Sequence, residues 1–219
     1  MANMSTAYGT VCAYAETKEN AERVLNVIHR ELGDVDYGTC IDECRDGTLA
    51  AEYTGENWMA ESSFTGTGRW VFEENVHRLS DWLQESMNEL KPLDFRLEFE
   101  FDDYEPGCSA LYRATMTADH KAGDSKIEFE MSDYESYDIT AKNLRSLNFG
   151  DDVMDLNDPK DRLMEWFINE QGEEYADDIK AVFKDEKAWK EFKSDYSGCV
   201  FYPEWPDAED IGWKERAGR

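Results

Sequence analysis

The residues best suited to chemistry are three histidines and a handful of cysteines, and none falls in a spacing that builds a site. His29 and His77 lie beside apolar stripes of helical period, and His120 reads as part of the loop Ala118-Asp119-His120-Lys121. No H-E-x-x-H pair occurs, nor an H-x-E followed by C-x-x-C, so neither common zinc arrangement is present. Cys40 and Cys44 form a C-x3-C pair without the second pair that a zinc site needs. Thr65-Gly66-Thr67-Gly68, followed by Arg69, has the look of a phosphate-cradling loop but lacks the G-K-[ST] ending, and is expected to be a strand-ending turn. No nucleophile elbow or kinase signature is found. Carboxylates are too abundant for any pair to stand out as an acid-base couple. No catalytic residue, metal or cofactor is therefore expected, although a site assembled from distant residues stays open.

The acidic residues have the more informative spacing. In Phe95-Arg96-Leu97-Glu98-Phe99-Glu100-Phe101-Asp102 every odd position is apolar and every even one charged, the pattern of a strand buried on one side. Side chains two apart on a strand share a face at about 6.8 Å. Glu98, Glu100 and Asp102 are thus expected to form a row of carboxylates, continued by Asp103 and Glu105. Glu128 and Glu130 repeat the pattern, followed by Asp133 and Glu135. The intervening segment 109–117 offers only Arg113 as a counter-charge. Two further clusters, Asp151/Asp152/Asp155/Asp158 and Glu173/Glu174/Asp177/Asp178, are expected to extend an acidic surface.

Overall charge supports the same emphasis. The 219 residues carry a formal net charge of −27, divided as −15 over residues 1–109 and −12 over 110–219. The acidity is spread through the fold rather than held in a tail. Such a surface repels nucleic acid and anionic membrane and attracts basic protein. Composition rules out disorder as the cause, because 41% of residues are hydrophobic and 13% aromatic. Five scattered cysteines, an odd number, argue for reduced thiols and a cytoplasmic location. The N-terminus shows no basic-then-apolar leader, and no apolar run reaches the ~20 residues of a membrane span.

Those rows need elements to hold them. Residues 8–15 read as a strand and 18–32 as a helix, with Ala21, Val24, Leu25, Ile28 and Leu32 on one stripe and Thr17 as its cap. Strands near 48–54 and 58–66 are expected to form a hairpin about Gly55-Glu56-Asn57. A second helix over 71–90 carries Phe72, Val76, Leu79, Leu83, Met87 and Leu90, with Pro92 beyond its end. Strands at 95–102, 109–117 and 126–132 follow. The β-α-β-β-α-β order predicts an α+β fold of ferredoxin-like type, an antiparallel sheet with extra strands and both helices on one face. Residues 1–135 form that domain. Residues 136–219 read as a mainly helical C-terminal extension, with Asp158 as cap and Pro159 opening its first long helix.

The combination is similar in kind, though not in any motif, to the small acidic nucleic-acid mimics that mobile elements direct against host nucleases, including anti-restriction and anti-CRISPR proteins. That resemblance implies a non-enzymatic inhibitor whose partner is a basic, nucleic-acid-binding protein. Its regularly spaced carboxylates would imitate backbone phosphates. Two other expectations stay open: an ordinary cytoplasmic domain binding a protein or ligand through the open sheet face, and an enzyme with an unrecognised site.

Overall fold

The structure is a computed structural model that describes residues 4–33, 51–69, 71–106, 109–203 and 205–218, without the side chains of 32–33 and 80–87. Cys40, Cys44, Cys108 and the first residues of the strand expected at 48–54 lie outside that description. The chain divides into two compact units, Met1–Tyr137 and Asp138–Arg219.

The first unit is a mixed α+β structure. Its strands are β1 (Met4–Ala15), β2 (Glu52–Tyr53), β3 (Trp58–Arg69), β4 (Phe95–Glu105), β5 (Ala110–His120) and β6 (Glu130–Ser136). They form one sheet in the order β2-β3-β1-β4-β5-β6, and every pairing is antiparallel. Helices α1 (Lys18–Gly33) and α2 (Phe72–Leu90) bury the described part of their stripes against the same face, the side chains of Leu32, Leu83 and Met87 lying outside the description. Val24, Leu25 and Ile28 of α1 and Phe72, Val76 and Leu79 of α2 share one core with Ala7, Val11, Leu97, Phe99 and Met116. Phe72 is its aromatic hub, 4.8 Å from both Phe64 and Phe101. Thr17 caps α1 as its position predicts: Oγ1 accepts from the Asn20 amide at 3.2 Å.

Two local features differ from the sequence expectations. Thr65-Gly66-Thr67-Gly68 is not a turn but the last third of β3, paired with Tyr8 through Ser5 of β1. Partner backbone is available there, so the ladder continues. Gly9 sits between β3 and β4 where a Cβ would lie 1.9 Å from the Glu100 carbonyl oxygen, so only glycine fits. His120 belongs not to a loop but to the end of β5, buried, with its ring stacked on Phe95 at 4.6 Å.

The second unit is mainly helical. Helix α3 (Ala141–Ser146) is followed by the short ladder of β7 (Met154–Asp155) and β8 (Val200–Phe201). Helices α4 (Lys160–Gln171), α5 (Ala176–Lys184), α6 (Glu186–Asp195), α7 (Ala208–Ile211) and α8 (Trp213–Arg216) complete it. Its core is aromatic, with Phe167, Phe183, Phe192, Phe201 and Trp213 in mutual edge and stacked contact. Asp185 caps α6, its carboxylate accepting from the Lys187 and Ala188 amides. Asp158 does not cap α4. Pro159 holds that place, and Asp158 instead accepts from the Arg145 guanidinium at 2.8 Å and the Asp155 amide at 3.0 Å.

Candidate interaction surface

With both helices on one face, the opposite face of the sheet holds the even positions of β1 and β4 and the odd positions of β3 and β5. Cross-strand partners share a face, so the register draws the surface directly. One line across the sheet reads Glu61, Cys12, Glu98, Thr117, Glu130. The next reads Ser63, Thr10, Glu100, Thr115, Asp133, and the third Thr65, Tyr8, Asp102, Arg113, Glu135. In the first two lines, acids on β4 and β6 are separated by a hydroxyl residue on β5. Like charges in these lines therefore stand two strands apart, about 9.6 Å, rather than face to face.

A bulge lets β6 contribute. Register shifts between Thr115 and Met116, with Ser132 as the extra residue, and its hydroxyl donates to the Thr115 carbonyl at 3.1 Å. The shift turns Asp133 and Glu135, odd positions, onto the face already occupied by the even Glu130. Glu128 is exposed but precedes the strand, which begins at residue 130 rather than 126.

The row on β4 is shorter than its sequence implies. Glu98 and Glu100 stand on the open face. Asp102 shares that face but is buried, held by Arg113 through two 2.8 Å hydrogen bonds. Asp103 and Glu105 do not continue the row, because odd positions of β4 point to the helices, and both are buried. Asp103 accepts hydrogen bonds from the Ser5 hydroxyl, from the Phe72 amide at 2.7 Å and from the Tyr112 hydroxyl at 2.7 Å. It thus fixes the first residue of α2 to the sheet. Burial pushes its carboxyl above the usual carboxylate range, against the pull of those three donors.

The second unit reduces its acidic clusters in the same way. Asp155 is buried and accepts from the Ala141 and Asn157 amides, Asp158 is engaged by Arg145, and Asp178 is buried. Asp151, Asp152, Glu173, Glu174 and Asp177 remain exposed.

On the open face the field of the free acids is felt by its neighbours. Burial, then the charges of Glu61, Glu98 and Glu100, push the Cys12 thiol up to about 11. Tyr14, two residues along the strand, is pushed up to about 12 by burial, Cys12 and Glu98. A thiol held protonated is a poor nucleophile and a poor metal ligand. Among the described residues, no ion pair engages Glu61, Glu100, Glu128, Glu130 or Asp133. Glu98 has one at 3.7 Å from Arg96, and Glu135 accepts from the Tyr137 hydroxyl.

Other sequence candidates do not converge. His77 is exposed and lies 3.9 Å from Glu73 on α2, His29 is half-buried on α1, and Arg69 is exposed at the end of β3. His120 Nδ1 bonds to the Leu93 carbonyl at 2.9 Å, inside the core. No group of three His, Cys, Asp or Glu among the described residues could hold a metal ion. No helix among them is long and apolar enough to cross a membrane. Glu61 is the surface residue that sequence inspection passed over. Its signal was the inward alternation of Ala60, Ser62 and Phe64, which sends it outward, but its place beside Glu98 depends on β1 lying between β3 and β4.

Comparisons of the chain with protein-family models, with characterised proteins and with solved structures found no match.

Proposed function

We propose that this is a non-enzymatic acidic interaction protein that presents the open face of its sheet to a basic groove built for nucleic acid. One observation carries the proposal: Glu61, Glu98, Glu100, Glu130 and Asp133 stand on one face, and among the described residues their one ion pair is the 3.7 Å contact of Glu98 with Arg96, Arg113 adding a weaker pull on Glu100. Their spacing, about 7 Å along a strand and about 10 Å across alternate strands, suits a surface where several cations bind phosphates side by side. Serine and threonine hydroxyls between the acids add neutral hydrogen-bonding groups. The partner class is a nucleic-acid-binding defence protein, of the kind that anti-restriction and anti-CRISPR inhibitors block, met in the cytoplasm. The sheet order β2-β3-β1-β4 with α1 and α2 on one side supports a ferredoxin-like split βαβ core as the scaffold.

The test is competition. A labelled DNA duplex is bound to each of a set of restriction endonucleases and RNA-guided nucleases, and its displacement is followed by fluorescence anisotropy. The protein should displace the duplex from at least one, and less well by about tenfold when salt is raised from 50 to 300 mM. Glu100→Lys with Glu130→Lys should lose the competition, while Glu19→Lys with Glu74→Lys, on the helix side, should keep it. No displacement from any member of the set, or equal displacement by both double variants, rejects the proposal.

A further inference from the structure

The second unit contains a cavity of about 350 Å3 between α4, the turn at Glu173–Tyr175 and the segment that leads into α7. Three aromatic side chains line it: Trp166, Tyr175 and Trp205. Four carboxylates line it as well, Glu170, Asp207, Glu209 and Asp210, and among the described residues no lysine or arginine lines it, Lys214 reaching only the Tyr175 ring. Aromatic faces with carboxylates beside them are what a delocalised organic cation requires. The ring quadrupole attracts the charge, the flat face stacks on the cation, and the carboxylates accept its N–H groups.

The cavity is held open by hydrogen bonds rather than by chance packing. Gln171 Nε2 donates to the Pro206 carbonyl at 2.7 Å, and Gln171 Oε1 accepts from Trp213 Nε1, which ties the 205–207 segment to α4 and α8. Trp166 Nε1 donates to the Asp152 carbonyl at 2.8 Å, fixing that ring. Asp207 stands at the N-cap position of α7, yet its side chain makes no capping bond, so its oxygens are not engaged there.

The rest of this unit shows what its aromatics do when a cation is within reach. Lys160 lies 4.7 Å and Lys193 5.6 Å from the centre of the Trp189 ring. Lys214 lies 5.4 Å from Tyr175, and Arg216 lies 5.7 Å from Tyr196. Trp205, 47% exposed, and Trp166 have no such cation among the described residues. Two tryptophans in this acidic cavity thus carry no cation among the described residues, while Trp189, Tyr175 and Tyr196 are each met by one from within the unit.

We infer that this cavity binds the side chain of an arginine presented by a basic protein segment. A guanidinium matches the site better than an ammonium, because it stacks flat on tryptophan and offers five N–H groups to several carboxylates at once. The site is independent of the open sheet face in the first unit, so either can fail without the other.

Isothermal titration of the full chain with acetyl-Gly-Arg-Gly-amide tests it at low salt. Binding should appear in one-to-one ratio and fall at least tenfold when citrulline replaces arginine, since citrulline keeps the shape and loses the charge. Trp205→Ala should weaken binding about tenfold, and Glu170→Gln with Asp207→Asn by a similar factor. Trp205 is half exposed, and unchanged thermal melts would show that its removal leaves the fold intact. Glu100→Lys with Glu130→Lys should leave arginine binding unaltered, and Trp205→Ala should leave duplex displacement unaltered. Equal affinity for the citrulline peptide, or full affinity in Trp205→Ala, overturns the inference. Tighter binding of tetramethylammonium chloride than of the arginine peptide overturns the assignment to arginine. Binding of acetyl-Gly-Lys-Gly-amide at equal strength does so too.

Discussion

The middle and the end of β4 carry the same kind of residue and put it to opposite uses. Glu98 and Glu100, near its middle, face outward on a surface with few cations and, among the described residues, make no hydrogen bond to a neighbouring strand. Asp102, Asp103 and Glu105, a few residues on, are all buried. Parity along the strand and the nearest donor account for the difference. Asp102 meets Arg113 directly across the ladder, and Asp103 faces inward onto Ser5, Tyr112 and the first amide of α2. An acidic count therefore overstates an acidic surface. What remains after the captured carboxylates are removed is the part available to a partner.

The sharpest way to break the comparison is at Asp103. Replacement by alanine leaves the Phe72 amide and two hydroxyls without their acceptor in the core, and should cost about 3 kcal/mol. Asp103→Asn keeps an acceptor and removes the buried charge, so its loss should be smaller. Urea denaturation followed by tryptophan fluorescence measures both. An Asp103→Ala loss below about 1 kcal/mol would mean that the inward acid is only tolerated.

Much of this was legible in advance, and the misses share one cause. Period-two alternation placed the inner face of β4 on Phe95, Leu97, Phe99 and Phe101, all buried. The 3.6 stripes located α1 and α2. Carried two residues further, the same alternation would have turned Asp103 and Glu105 inward. That step looks wrong from sequence, because an inward carboxylate is costly until its donors are known, and Ser5 lies 98 positions away. The Ser132 bulge was invisible for a similar reason: it is a property of pairing with β5, not of residues 126–136 read by themselves. In the second unit Asp158 had the look of a cap, but Arg145 and the Asp155 amide, brought near by the turn, claim its carboxylate.

A second variant sharpens the contrast on one face. Arg113→Met keeps the methylene packing and strands the Asp102 carboxylate, 7% exposed, without its bidentate partner. The expected loss is about 1–2 kcal/mol by the same denaturation, and Asp102→Asn in the same chain should recover part of it. No recovery would show that Arg113 acts through packing alone.

Alkaline pH reports on the burial of Cys12 and, after it, on the field of the free acids. The Cys12 thiol ionises at 9.0 when unperturbed and at about 11 here, so the folded state favours the protonated form. Its contribution is complete below pH 9 and is lost as pH rises through about 11. Cys12→Ser removes that loss. Between pH 9 and 11 the wild type should therefore lose about 1 kcal/mol more than the variant, after allowance for solvent screening at a partly exposed site. Parallel curves would mean that neither burial nor the acids of the open face hold the Cys12 thiol protonated.

The smallest effect on stability belongs to the residues proposed to matter most for binding. Glu100 and Glu130 have no ion pair among the described residues, and each stands opposite a threonine on β5. Reversal of both to lysine removes no hydrogen bond among the described residues and raises the net charge from −27 by four. Self-repulsion falls, so the fold should become more stable, by less than about 0.5 kcal/mol. Screening fixes the sign of the check: the gain should shrink as salt rises past 150 mM, where the Debye length is about 8 Å, shorter than the distance between alternate strands. Melts of wild type and double variant at 20 mM and 500 mM salt separate the cases. A loss of more than 1 kcal/mol at both salts would show that these glutamates are captured like Asp102 and Asp103. The distinction between the middle and the end of β4 would then disappear, and with it the free acidic face on which the proposed binding to a basic partner depends.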